Sequence, residues 1–248
     1  MPAVIRVAHS PDSDDAFMFY ALAAGKIDTG DRRYVHELQD IESLNTRALK
    51  AELEVTAVSF HAYAYLHDRY ALLPHGCSMG DGYGPRLVAR QPLEGDVYDA
   101  LAGKLVSIPG ERTTANLALK LLRPDVRTVL VPFDAIEDHV LAGASDVGLL
   151  IHEGQLTYQG RGLHLWQDLG AWWKNRTGLP LPLGGNVVRK DLGEAMIRLV
   201  SRDLRASIVY GLEHRSPALA HAQQYARGLD PAHTDTFVGM YVNDFTVD

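Results

Sequence analysis

The chain has 248 residues, 46% of them hydrophobic and 22% charged, which excludes wholesale disorder and suffices for one or two α/β domains. Its formal net charge of −7 argues against a nucleic-acid protein, whose usual footprint is a basic field, while a small anionic ligand held by local donors stays open. Cys77 is the only cysteine, so no intramolecular disulfide is possible, and no apolar run is long enough to span a bilayer.

The stretch Met1 to Val7 has no basic region followed by a long apolar one, so the expected compartment is the cytoplasm, with no membrane partner. Ile5 to Ala8 is predicted as the first strand. The cluster His9-Ser10-Pro11-Asp12-Ser13-Asp14-Asp15 follows as a turn with acids at a helix start, where the helix dipole favours them. Ala16 to Ala24 is apolar almost all round and predicts a buried helix closed by Gly25. Arg33 to Leu38 reads as a weaker strand. Ile41 to Leu53 is an amphipathic helix with Asn45 off its apolar face, and Val55 to Ser59 is a strand running into a helix. Tyr70 to Leu73 begins a further strand, and Gly76 to Pro85 is a glycine-dense loop without the strand–turn–helix context of a dinucleotide fingerprint.

Arg86 opens a second unit. Lys104 to Ile108 is a strand, and Pro109 to Thr114 turns into the helix Ala115 to Leu122. There two threonine hydroxyls and unpaired amides meet at a helix N-terminus, which suits both simple capping and an anion site. Thr128 to Val131 is a strand and Ala135 to Ala142 a helix. Leu156 to Tyr158 and Leu163 to Leu165 fit no single pattern. Asp168 to Arg176 is a helix whose Trp172-Trp173 pair suits packing better than stacking on a ligand. Leu179 to Gly185 is expected to be an extended crossing and not a central strand, because its prolines lack donors. Asp191 to His214 and Ser216 to about Arg227 are helices, the second with proline at its first position, and Thr236 to Val242 is read as strand or loop. The expected fold class is therefore α/β, two-lobed, with residues 1–85 and 188–248 in one domain, 86–187 in the other, and a ligand cleft between them.

Asp146 to Ile151 predicts a buried strand that delivers His152 and Glu153 at its end. In open α/β sheets the carboxyl ends of strands line the ligand crevice, and an imidazole there is placed for acid–base work. The competing reading is a histidine that merely caps a strand. Glu153 either orients the imidazole or bonds elsewhere, and the sequence does not decide. Ser10 to Asp14, Ser59 to His61 and Pro109 to Thr114 are the other strand ends that run into helix starts.

Other chemistries find no footing. The chain has no Gly-x-Ser-x-Gly elbow, no Walker A loop and no His-Glu-x-x-His helix. The spacings of His61 and His67, and of His214 and His221, do not suit a metal, so no metal is expected. Cys77 lacks a neighbouring base, and Lys104 lies at the wrong end of its strand for a Schiff base.

Several blocks together carry a resemblance: His9-Ser10-Pro11, Ile41-Glu42-Ser43-Leu44-Asn45, Val58-Ser59-Phe60-His61-Ala62-Tyr63, Ile108-Pro109-Gly110, Thr113-Thr114-Ala115-Asn116, Ile151-His152-Glu153-Gly154 and Pro182-Leu183-Gly184-Gly185. With them the chain resembles the 1,4-dihydroxy-6-naphthoate synthase family of the futalosine route to menaquinone, over nearly its whole length. The resemblance implies a fold similar to type 2 periplasmic binding proteins. It implies a cytoplasmic carbon–carbon lyase without metal or organic cofactor, acting on a small carboxylate, cyclic dehypoxanthinyl futalosine. It carries the proposed base onto His152 and ligand contacts onto Asn45, Ser59, Thr114 and Ala115, with Thr113 and Ser10 beside them. Chorismate dehydratase, on the same fold, and a non-catalytic solute-binding protein for a small carboxylate are the alternatives. The stretch Ser10-Pro11-Asp12-Ser13-Asp14-Asp15 departs from the family's usual Ser-Pro-Cys-Pro-Asn-Asp. Its extra acids either weaken anion binding or cap the helix.

Overall fold

The computed structural model describes residues 3–247, so Met1, Pro2 and Asp248, which the expected domain bounds and first stretch include, lie outside it. The chain divides into two compact units, residues 1–79 with 184–248 and residues 80–183. In chain order the first unit begins with β1 (Ala3–His9), α1 (Ser13–Met18), α2 (Tyr20–Ala23), β2 (Arg32–Leu38), α3 (Ile41–Leu49), β3 (Val55–Ser59), α4 (Phe60–Tyr63), β4 (Tyr70–Leu72) and β5 (Ser78–Gly80). The second holds β6 (Arg86–Ala89), α5 (Val97–Ala100), β7 (Leu105–Ile108), α6 (Thr114–Leu122), β8 (Arg127–Leu130), α7 (Ile136–Leu141), β9 (Val147–Leu150), α8 (Gly154–Thr157), β10 (His164–Asp168) and α9 (Leu169–Thr177). The chain returns through β11 (Leu181–Arg189) to α10 (Glu194–Glu213), α11 (Arg215–Ala222), α12 (Pro231–Tyr241) and α13 (Asp244–Val247).

The first sheet has the order β2-β1-β3-β11-β4, with β5 also paired to β11. β1 runs parallel to β2 and β3, whereas β11 is antiparallel to β3 and β4. Three carboxyl ends, at His9, Leu38 and Ser59, therefore share one edge, and Gly184 pairs with Ser59 there. The second sheet has the order β10-β6-β9-β7-β8, with β7 parallel to β8 and β9 and with β6 antiparallel to β9 and β10. Its shared edge carries the segments that follow Ile108, Leu130 and Leu150.

Each sheet is covered by its own core. In the first unit Ile5, Val7 and Val188 pack with Phe17, Phe19, Leu204, Ile208 and Val238. Asp203 of α10 is buried and accepts from Arg32 Nε at 2.7 Å and from the Tyr34 hydroxyl at 2.8 Å, which satisfies the charge that burial would otherwise penalise. In the second unit Leu87, Val106, Ile108, Leu119, Val147 and Leu149 form the centre, and Trp172 and Trp173 are half-buried against it. The tryptophans thus pack, as their pattern predicts. The first turn of α9 presses on the preceding glycine loop: a methyl group on Gly170 would lie 1.9 Å from the Tyr83 carbonyl oxygen.

Several expectations are corrected. β11 is a strand, paired through residues 184–189 with β3 and β4. Pro180 and Pro182 precede that paired run, so their missing donors remove no bond of those ladders. Thr236 to Val242 belongs mostly to the helix α12, because Asp230 caps it by accepting from His233 N at 2.9 Å and Pro231 fits its first position. The helix from Ile41 stops at Leu49 and not Leu53, since Ala51 turns left-handed at φ 55°. The glycine loop contains β5, Leu156 is helical, and Pro217 is the third residue of α11.

Candidate active site

At the edge of the first sheet, Ser59 ends β3 with its backbone fixed by a neighbouring helix. Its N–H donates to Asn45 Oδ1 at 2.9 Å, and its hydroxyl accepts from Asn45 Nδ2 at 3.1 Å. Asn45 is fully buried on α3, where its amide holds Ser59 and its Nδ2 also donates to Glu42 Oε2 at 3.4 Å. The Ser59 hydroxyl accepts from Asn45, so its own proton can still be donated.

Ser10 follows β1, but its hydroxyl donates to Asp12 Oδ2 at 2.9 Å and its N–H to Asp15 Oδ2 at 2.8 Å. Asp12 sits at the N-cap position of α1 without making a capping bond, and Arg227 Nη1 pairs with it at 2.6 Å. The extra acid at position 12 is thus neither a helix cap nor an unpaired charge. Before Ser10 can donate to a ligand it must leave Asp12.

Burial sets the protonation of this edge. The Asp15 carboxyl is pushed up to about 7, first by burial and then by the Asp12 charge, against its bonds to Ser10. His9 stacks on Phe19 and contacts His36 Nδ1 at 3.2 Å. Burial pulls His9 down to about 3 and His36 to about 4, with neighbouring imidazoles adding to the effect. These groups act in opposite pH windows. A raised carboxyl contributes stability below its unfolded value of about 3.8, and that stability is lost as pH rises through about 7. The lowered imidazoles are satisfied above the ordinary histidine value, and their contribution is lost as pH falls toward 4 and 3. Asp15→Asn, which keeps an acceptor for Ser10, is therefore expected to raise stability at pH 8 by on the order of 1–3 kcal/mol and to change little near pH 4. Urea unfolding at the two pH values checks this; equal effects at both would contradict it.

At the edge of the second sheet, Thr113 caps α6. Its hydroxyl accepts from Asn116 N at 3.2 Å and donates to the Gly110 carbonyl at 2.9 Å, which makes it structural. The Thr114 hydroxyl donates to the Leu183 carbonyl at 2.6 Å. Ala115, buried at the second helical position, offers an amide with no carbonyl partner inside the helix. Asn116 keeps a buried Oδ1 without a hydrogen-bond partner beside them, an acceptor that its place in the motif alone did not reveal.

His152 lies just beyond β9 and is 8% exposed. Its Nε2 is 2.9 Å from the Phe133 carbonyl oxygen, which can only accept, so Nε2 carries the proton. Nδ1 accepts from Gly154 N at 3.0 Å and therefore holds the lone pair of a neutral ring. The Phe133 ring meets it edge-on at 5.2 Å between centroids. The capping reading and the base reading are both present in this geometry: the imidazole closes the strand end and presents one basic nitrogen. Glu153, buried beside it, has a partner of its own. Glu137 of α7, which the sequence did not single out, reaches the same corner.

Among the described residues no group of three or more His, Cys, Asp or Glu side chains is gathered as a metal would require, and no helix is long and apolar enough to cross a membrane.

Comparison with known proteins adds identity to this geometry. The sequence profile of a family described as "Menaquinone biosynthesis" matches residues 5–248. A protein of Thermus thermophilus named 1,4-dihydroxy-6-naphtoate synthase is 42% identical over 248 residues, 98% of this chain and 88% of that one. A crystal structure of an Archaeoglobus fulgidus protein superposes with a TM-score of 0.93 at 48% identity, covering 99% of this chain and 90% of the other. The alkanesulfonate-binding protein of Xanthomonas axonopodis, bound to MOPS, superposes with a TM-score of 0.74 at 13% identity, over 97% of this chain and 84% of its own. At that identity the likeness concerns fold, and the two α/β units are those of the periplasmic-binding-protein fold, as the sequence resemblance implied.

Proposed function

Because this chain belongs to the menaquinone biosynthesis family, we propose that it converts cyclic dehypoxanthinyl futalosine to 1,4-dihydroxy-6-naphthoate as a carbon–carbon lyase. The observation that carries this reading is the 42% identity to the Thermus thermophilus synthase along 98% of the chain. A buried neutral imidazole at a sheet's carboxyl edge supports it.

In this reading His152 takes a proton from the substrate on Nδ1, the nitrogen with the lone pair, and so triggers fragmentation of the cyclised sugar portion. Gly154 N–H must release Nδ1 for that to happen. The Ala115 amide, at the positive end of α6, holds the substrate carboxylate, and the Thr114 hydroxyl joins it once released from the Leu183 carbonyl. Thr113 acts on them indirectly by capping the helix. Ser59 donates to a substrate oxygen, and Asn45 serves by holding Ser59. Ser10 contributes once released from Asp12. The reading invokes no metal or organic cofactor and places the work in the cytoplasm.

Incubating the purified protein separately with cyclic dehypoxanthinyl futalosine and with chorismate tests it. Release of the naphthoate from the first alone is the expected result. Dehydration of chorismate would move the protein to the sister activity. Ligand-induced stabilisation with no turnover of either compound would make it a binding protein.

A further inference from the structure

The geometry points to Glu137 as the residue that positions His152 and stabilises its protonated form, an inference that rests on His152 being the base. Glu137 stands in the first turn of α7 and is 7% exposed. Its Oε2 accepts from Arg161 Nη1 at 2.8 Å, while its Oε1 is buried and has no hydrogen-bond partner. Buried polar atoms are almost always hydrogen-bonded, so an unmatched carboxylate oxygen points to a partner gained in another state of the protein.

The imidazole is the neighbour that can become that partner. A methyl group on Gly154 would lie 2.9 Å from His152 Cε1, 3.3 Å from Nδ1 and 3.2 Å from Glu137 Oε1. Ring and carboxylate therefore both close on the point where a Cβ of residue 154 would stand, and only a glycine leaves that point unfilled. When Nδ1 accepts the substrate's proton, Gly154 N–H loses its acceptor and the ring becomes a cation shielded from water. Glu137 Oε1 is then an anion with unused lone pairs on the same side of Gly154, and rotation of the ring toward it offers Nδ1–H an acceptor. The proton passes from substrate carbon to Nδ1 and stays there until release; Glu137 itself exchanges none.

The other charges around this corner are accounted for. Arg161 pairs with both Glu137 and Asp138, and the Arg86 guanidinium donates to the Gln155 carbonyl and faces Asp168. Glu153, adjacent in sequence, has its own partner. Glu137 is the carboxylate that closes on that point at Gly154.

The test compares Glu137→Gln and Glu137→Asp with the unmodified protein. One readout is the kinetics on cyclic dehypoxanthinyl futalosine. The other is NMR titration of the labelled His152 ring without substrate, its resonances identified by their loss in His152→Gln. For Glu137→Gln we expect kcat to fall by about 10–100-fold with KM within about threefold, as for a group that acts on the protonated state. The acid limb of the pH–rate profile and the ring's titration should both move about one unit toward lower pH, and Glu137→Asp should restore part of each. If Glu137→Gln unfolds, Glu137→Asp supplies the comparison, since it draws the carboxylate back by one methylene and should shift the titration in the same direction by less. An unmoved titration in a folded variant overturns the inference. Loss of turnover in His152→Gln with that titration unmoved leaves the base assignment standing and removes Glu137 alone. Undiminished turnover in His152→Gln removes the base assignment, and with it the catalytic role of Glu137.

Discussion

His152→Gln is expected to lower kcat on cyclic dehypoxanthinyl futalosine by about 10²–10⁴-fold while leaving KM within a few-fold, the loss typical of removing a general base. Glutamine suits the test because its amide N–H can still donate to the Phe133 carbonyl, which now receives Nε2–H at 2.9 Å. Its amide oxygen can accept from Gly154 N–H, the bond that Nδ1 makes at 3.0 Å. What it lacks is a nitrogen that can take a proton. Steady-state kinetics with an unchanged thermal midpoint would separate that loss from damage to the fold. Turnover within threefold of the unmodified protein would sink the assignment of His152.

Gly170→Ala is expected to have the largest effect on stability, at least 3 kcal/mol and enough to deplete soluble protein, although it adds one methyl group. The added carbon would lie 1.9 Å from the Tyr83 carbonyl oxygen, 2.1 Å from its carbon and 2.6 Å from Gly84 N. All three are backbone atoms, so no side chain can turn aside, and either the glycine loop or the first turn of α9 must move. That turn is anchored by Asp168, which accepts from Gly170 N at 2.9 Å and Ala171 N at 3.0 Å, so moving it also breaks a cap. Gly178→Ala at the other end of α9 is an informative contrast. A methyl there meets nothing within 4 Å, but φ is +75°, so its cost of about 1 kcal/mol is purely conformational. Denaturant midpoints of the two variants would show whether close approach or backbone conformation dominates, and equal losses would contradict the steric account.

Much of the fold was legible in the sequence because strand ends and helix starts are punctuated locally. Ser59, Thr113 and His152 all stand where apolar runs give way to polar, turn-forming residues, and the structure places each at a sheet edge. Two readings failed where local signals competed. The prolines at 180 and 182 argued against β11, yet they lie ahead of its paired run with β3 and β4. The β-branched and aromatic residues from Thr236 to Val242 suggested a strand, but the Asp230 cap with Pro231 starts a helix that carries most of them. The side chains that surround His152 were not legible at all. Phe133 and Glu137 are brought to it by the packing of α7 and its preceding turn on the second sheet, and no spacing in the chain encodes that approach. Asn45 is similar: its helix was readable, but its burial against Ser59 depends on how that helix lies on β3.

The position of β11 has a consequence for the order in which the protein folds. On the ribosome, β4 emerges with its neighbour still unmade, because the strand that joins it to β3 lies more than a hundred residues further along the chain. The strands of the second sheet, β6 to β10, all appear before β11 does, so that sheet can be completed while the first still lacks the strand joining β3 to β4. Closing so long a loop adds only slowly growing entropy but slows the search, and until β11 arrives β3 and β4 each expose an unpaired edge. The nascent chain is therefore most vulnerable to wrong pairing in this interval, and substitutions at residues 184–188 of β11 should show first in folding yield, before they show in the stability of the finished protein.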